Sequence, residues 1–199
     1  MTTTPLLHTP RCSLVVAIDA VAPTAVYPRS EVAHIAALYW QYAPHVGIDP
    51  AVAWAQLMLE TGRIAPHAAG LASWWCLPGR WNFAGIGVTG ATALARPNRG
   101  VWQQDGAIWR EGIAFNSVTQ GVLAHLGRLV AYAVLPAHYT PAHMWAVGLA
   151  LDWRPLPARY YGIAATIEQF GNGVWATDPH YAAKWVQRLN ALCTESITV

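Results

Sequence analysis

Residues 49–62, D-P-A-V-A-W-A-Q-L-M-L-E-T-G, constrain this chain more than any other stretch. An Asp side chain accepts bonds from the free N–H groups at a helix start, and a Pro at the first helical position lacks a donor that would be orphaned anyway. Asp49 and Pro50 therefore predict a helix start. From Ala51 to Leu59 only Gln56 interrupts the apolar run, which is the pattern of a helix buried on all sides. The rest of the chain has to pack around it. Gly62 then supplies a C-terminal stop.

The one ionisable group on this helix is Glu60, in its last turn. Loss of hydration beside apolar side chains and the negative end of the helix dipole both disfavour a charged carboxylate there. A raised pKa is expected. A carboxylic acid still protonated near neutral pH is what a glycosidase uses as general acid on the departing sugar oxygen. The plainer alternative is a solvated Glu60 that pairs with Arg63 at a frayed helix end.

With 199 residues the chain suffices for one well-packed domain. Charged residues make up 11% and hydrophobic ones 54%, yet no uninterrupted apolar run reaches the roughly 18–20 residues that span a bilayer. A soluble monomer is expected. A net charge of +2 with scattered Lys and Arg argues against a nucleic-acid partner. The 11 tryptophans are expected mostly in the core, where such faces bury large areas, and the remainder on sugar C–H surfaces.

Cys12, Cys76 and Cys193 lack metal-ligand spacing; one disulfide is feasible, its pairing open, with a free thiol left over. The eight histidines contain no H-E-x-x-H, and Pro141 separates His138 from His143, so neither a zinc site nor any other cofactor is expected. No G-x-S-x-G motif supports serine catalysis. Arg11 precedes an apolar stretch over 13–22, but Asp19 interrupts it, and no cleaved signal is expected.

Along the chain, residues 1–28 read as an irregular arm with a short strand over 14–18. Ser30 is expected to cap a helix to about Tyr42, with Val32, Ile35, Ala36, Tyr39 and Tyr42 at helical spacing. Helical periodicity fails over 63–116; residues 81–90 read as extended chain with tight turns, and D-G at 105–106 predicts a β-hairpin within 101–115. Further helices are expected over 117–134, 140–151 and around 163–170. Asp178 and Pro179 are expected to cap the last helix, whose stripe is Ala182, Trp185, Val186, Leu189 and Leu192. The fold class is predominantly helical α+β: one domain over 29–199, with a small irregular β region after the glutamate helix.

L-E-T-G at 59–62, N-F-A-G-I at 82–86 and W-A-T-D-P-H-Y at 175–181 together resemble the bacterial glucosaminidase family of peptidoglycan hydrolases, in their order and rough spacing. The resemblance spans residues 29–192. It implies a lysozyme-like fold and cleavage of the β-1,4 bond on the reducing side of N-acetylglucosamine. It places Glu60 on the general acid and Asn82, Phe83 and Gly85 on the cleft floor. Trp175 stands where that family usually carries Tyr, which keeps an aromatic face and loses a hydroxyl that Tyr181 could supply.

On chemistry alone, Asn82 offers donors and an acceptor suited to an acetamido group, or else holds a turn. Gly85 allows close backbone approach to a sugar. Trp175 is the better candidate for exposed stacking, and Asp178 reads as a helix cap as well as a substrate contact. A second carboxylate is expected from Glu111, in preference to Asp105 in the D-G turn, unless the substrate's own 2-acetamido group acts as nucleophile. A lytic transglycosylase, a muramidase and a non-catalytic wall-binding or phage structural module stay open beside the glucosaminidase. The glycan strands of peptidoglycan are the expected partner. The expected setting is a phage endolysin released at lysis, or a wall enzyme exported by another route.

Overall fold

The computed structural model describes residues 3–62, 73–152 and 154–194. Among them, six α-helices surround one another and a three-stranded antiparallel sheet lies to one side. No described helix is long and apolar enough to cross a membrane.

The organising helix, α3 (Pro50–Thr61), starts where Asp49 Oδ1 accepts from Ala51 N at 2.8 Å and stops at Gly62 in the left-handed region, φ 63°. Arg11 Nη1 donates to the other oxygen of the buried Asp49 at 2.8 Å, so the chain's first residues lock the helix start. Every residue from Pro50 to Met58 is buried. Two indoles mark how closely it is surrounded: Trp54 donates to Ala17 O on one side and Trp185 to Val52 O on the other.

Residues 3–28 are more regular than expected. In place of a strand over 14–18 there is helix α1 (Leu14–Val21), whose cap Ser13 accepts from Val16 N and whose Ala17 and Val21 face inward. The β-branched Val15, Val16 and Ile18 suit a strand by propensity, but burial of an i, i+4 pair decided for the helix. Leu6 is fully buried and its N–H donates to Ala165 O.

Helix α2 (Arg29–Tyr42) begins before the expected Ser30 cap. Pro28 occupies the cap position, and its carbonyl accepts from Glu31 N and Val32 N. In the β region, β2 (Trp102–Asp105) and β3 (Ile108–Glu111) form the expected hairpin, Trp102 paired with Glu111. An additional strand, β1 (Thr92–Ala93), joins the other edge of β3.

Ser117 caps helix α4 (Val118–Ala133), and a Thr140–His143 capping box opens α5 (Pro141–Leu151). These two pack so tightly that a Cβ on Gly127 would lie 1.9 Å from Ala146 O. The helix expected around 163–170 is a single 3-10 turn, Ile167–Phe170, opened by Thr166 and Gln169. The last helix, α6 (Tyr181–Thr194), buries Tyr181, Trp185, Leu189 and Leu192 against α3, while Ala182 and Val186 are half-buried. This is the lysozyme-like α+β arrangement, with α3 in the core and the small sheet beyond its C-terminal end.

The tryptophans depart from expectation. Trp54, Trp75 and Trp185 are buried, whereas Trp40, Trp74, Trp81, Trp102, Trp109 and Trp175 are half-buried and Trp145 is 55% exposed. Cys12, Cys76 and Cys193 are free thiols; burial pushes Cys76 up to about 12.

Candidate active site

Glu60 sits where the apolar length of α3 gives out, and the first residue of α6 and the irregular segment before it both reach its carboxyl. The Tyr181 hydroxyl, at the start of α6, donates to Oε1 at 2.5 Å, and the Trp175 indole N–H donates to the same oxygen at 2.9 Å. Oε2 faces Gly85, where a Cβ would stand only 3.5 Å away; with φ 61° this backbone also favours glycine. Arg63, the alternative partner for Glu60, lies outside the described residues.

Burial raises the Glu60 pKa above its ordinary 4.5, and the bonds from Tyr181 and Trp175, which favour the charged form, offset only part of that effect. Tyr181 is held well above its ordinary value by burial and by the neighbouring Glu60 charge, so it remains a donor.

Behind Tyr181 runs a buried polar chain. Gln56 Nε2 donates to the Tyr181 oxygen at 2.8 Å, His125 Nε2–H donates to Gln56 Oε1 at 2.8 Å, and the Tyr39 hydroxyl donates to His125 Nδ1 at 2.7 Å. Each hydroxyl, amide and ring nitrogen donates toward Glu60, which fixes the His125 tautomer. Full burial holds the ring neutral, its pKa pushed down to about 3. Gln56, the one polar break in the apolar run, lies four residues before Glu60 and hence on the same helix face. That spacing was the visible signal for this chain; His125 and Tyr39 had none, since each looks like a core position on its own helix.

The other expected site residues divide. Asn82 holds a turn, the second of its two readings: it is buried, its Nδ2 donates to Ile86 O and Ile113 O, and its Oδ1 accepts from Ile86 N. All its bonding capacity shapes the turn that carries Gly85. Phe83 is fully buried in the core beneath that turn. Trp175 is not a free stacking platform; it is half-buried among Tyr132, Phe170 and His125, with its N–H on Glu60. The donor lost with the family's usual Tyr is thus supplied by an indole. Asp178 is turned to its own helix start, accepting from His180 N at 2.8 Å and from Lys184 Nζ at 2.6 Å. Asp105 is held by Arg110 beside the hairpin turn.

A cavity of ≈ 390 Å³ opens beside Glu60, walled by Gly85, Ile86, Gly87, Arg128, Tyr132, Arg154, Tyr160 and Trp175 among others. It falls within the roughly 300–1,000 Å³ of ligand clefts. A second cavity of ≈ 250 Å³ continues from it, sharing Gly87 and Arg154, and is walled by Glu111. Glu111 Oε2 accepts from the Thr89 hydroxyl at 2.6 Å. Glu111 thus walls the second cavity directly, while Glu60 lies behind Gly85 and Trp175 of the first. Among the described residues no group of three or more His, Cys, Asp or Glu could hold a metal ion.

A carboxyl desolvated in this way keeps its proton to higher pH than an exposed one. The family described as glucosaminidase, mannosyl-glycoprotein endo-beta-N-acetylglucosaminidase, matches residues 36–194, and the chain belongs to it: it is a glycoside hydrolase. No curated protein and no solved structure matches the chain.

Proposed function

We propose that this glycoside hydrolase cleaves the β-1,4 bond between N-acetylglucosamine and N-acetylmuramic acid in peptidoglycan, with Glu60 as general acid. The observation that carries this reading is the Glu60 carboxyl itself: raised by burial, one oxygen pinned by Tyr181 and Trp175, the other facing Gly85 on the groove wall. A fixed acid of raised pKa can deliver its proton to a glycosidic oxygen at a set place. Glu111, along the same groove, serves as the second carboxylate that activates water or steadies the developing positive charge. The natural partner is the glycan strand of a cell wall, reached by release at phage lysis or by export, and the outcome is wall lysis.

The test is mass spectrometry of muropeptides after digestion of purified peptidoglycan and borohydride reduction, with wild type and Glu60→Gln. Reduced N-acetylglucosamine ends from wild type alone are expected. Reduced N-acetylmuramic ends would make the enzyme a muramidase, 1,6-anhydro ends a transglycosylase, and no new ends with wall binding intact a non-catalytic module.

A further inference from the structure

The cavity beside Glu60 is walled by two arginines that form no ion pair among the described residues. These are Arg128, on α4, and Arg154, after α5, both on the wall of the ≈ 390 Å³ cavity. Arg128 is half-buried; its Nη1 donates to the Arg154 carbonyl at 2.9 Å and its guanidinium lies 5.6 Å from the Tyr132 ring centre. Desolvation lowers the Arg128 pKa from its ordinary value. No Asp or Glu is among the residues that wall this cavity. Two carboxylates lie close by: Glu60, whose Oε1 accepts from Tyr181 and Trp175, and Glu111, which walls the adjoining cavity together with Arg154 and accepts from Thr89.

Withdrawing a guanidinium from water without a counter-ion is unfavourable, whereas an anion seated between two of them is bound by charge-assisted, bidentate-capable hydrogen bonds. A neutral sugar oxygen can accept from the half-buried Arg128 but brings no charge to balance it. We propose that Arg128 and Arg154 form an anion subsite next to Glu60 that binds a carboxylate carried by the glycan substrate. The inference rests on the peptidoglycan reading above and narrows it to strands that present a carboxylate at this subsite. Two sources share that chemistry: the lactyl ether of an N-acetylmuramic residue stripped of peptide, and the carboxylates of an attached stem peptide. The subsite also favours one register of the strand over another. In a strand that alternates charged and neutral sugars, a cation pair fixed beside the acid selects which linkage is presented to Glu60.

The test needs no turnover. Binding to Glu60→Gln, and to Glu60→Gln carrying Arg154→Gln or Arg128→Gln, is measured by calorimetry with three soluble ligands of equal length: neutral chito-oligosaccharides, peptide-free glycan strands and peptide-bearing strands. Arg154 is exposed, so Arg154→Gln keeps the fold even where Arg128→Gln lowers the melting temperature. The Glu60→Gln protein is expected to prefer carboxylate-bearing strands, and each arginine replacement to cut that preference by about tenfold, the loss of one charge-assisted hydrogen bond. Loss confined to peptide-free strands assigns the lactyl carboxylate; loss confined to peptide-bearing strands assigns the stem peptide. An Arg154→Gln protein whose preference is unchanged would overturn the subsite while leaving the peptidoglycan reading intact. No binding of either kind of peptidoglycan strand, with chito-oligosaccharides still bound, would overturn both.

Discussion

Glu60 has two unlike surroundings. On its inner side, Gln56, His125, Tyr39 and Tyr181 come from helices α2, α3, α4 and α6, are buried, and join in one hydrogen-bonded chain. On its outer side stand Gly85 and Gly87, two arginines without ion pairs among the described residues, and Glu111 at the end of β3. The inner wall is complete without a ligand and the outer wall is not. Buried polar groups that are fully paired hold a single geometry, and unpaired charges in a cleft are where a ligand gains affinity. The fold thus separates the task of holding the acid from the task of holding the sugar.

The largest effect is expected at the boundary itself. Glu60→Gln should lower kcat by about 10²–10⁴-fold, the usual worth of a general acid, measured by release of reducing ends. Its effect on stability has the opposite sign. With the folded pKa of Glu60 raised above 4.5, the stabilising preference for the protonated form is complete below the unfolded pKa and is lost as pH rises through the folded one. Glu60→Gln should therefore leave the melting temperature unchanged or raise it at pH 7, with less benefit near pH 4. A large drop at pH 7 would make Glu60 a structural residue.

Changes on the two walls should then differ in kind. On the outer wall, Glu111→Gln is expected to lower kcat about 10²-fold while stability stays within about 0.5 kcal/mol, because Gln retains an acceptor for Thr89. Full activity in that variant would assign the second role to the substrate's acetamido group. On the inner wall, Gln56→Leu should cost about 1–3 kcal/mol of stability, since it strands the His125 Nε2–H in the core, as read by urea unfolding. His125 adds a pH signature. Its folded pKa of about 3 lies below its ordinary 6.5, so its contribution is complete above about pH 6.5 and lost as pH falls toward 3. His125→Gln should flatten that part of the stability profile. If both walls responded alike, with stability falling wherever activity fell, the division between them would be wrong.

The smallest expected effect sharpens the contrast at one oxygen. Trp175→Phe removes a donor that favours the ionised acid, so the Glu60 pKa should rise further and the basic limb of the kcat/KM profile should move to higher pH. A limb that moved to lower pH would mean the indole does not bond the carboxylate.

The inner wall was the more legible of the two in sequence, but only along single helices. An Asp-Pro start, a Gly stop and one carboxylate ending an apolar run suffice to specify α3 and its acid. Gln56 and Glu60 on one face follow from spacing. The bonds to His125 and Tyr39 do not, because they span 69 and 86 residues and depend on how helices pack. The choice between Asn82's two readings was hidden for the same reason: one of the acceptors that make it a turn residue, Ile113 O, lies 31 residues away. At 14–18, β-branched residues favour both a strand and a buried helix face, and only packing against α2 and α3 separates them. Arg128 and Arg154 are unremarkable in sequence; their meaning comes from sharing one cavity wall, which packing alone brings about.

The most direct measurement is a carbon-13 NMR titration of the Glu60 side-chain carboxyl, identified by its absence in Glu60→Gln. A midpoint above the ordinary 4.5 is expected, with the ionised form appearing at higher pH than for exposed glutamates. A midpoint at or below 4.5 would contradict the account, because an acid already ionised there has no proton to give a departing sugar.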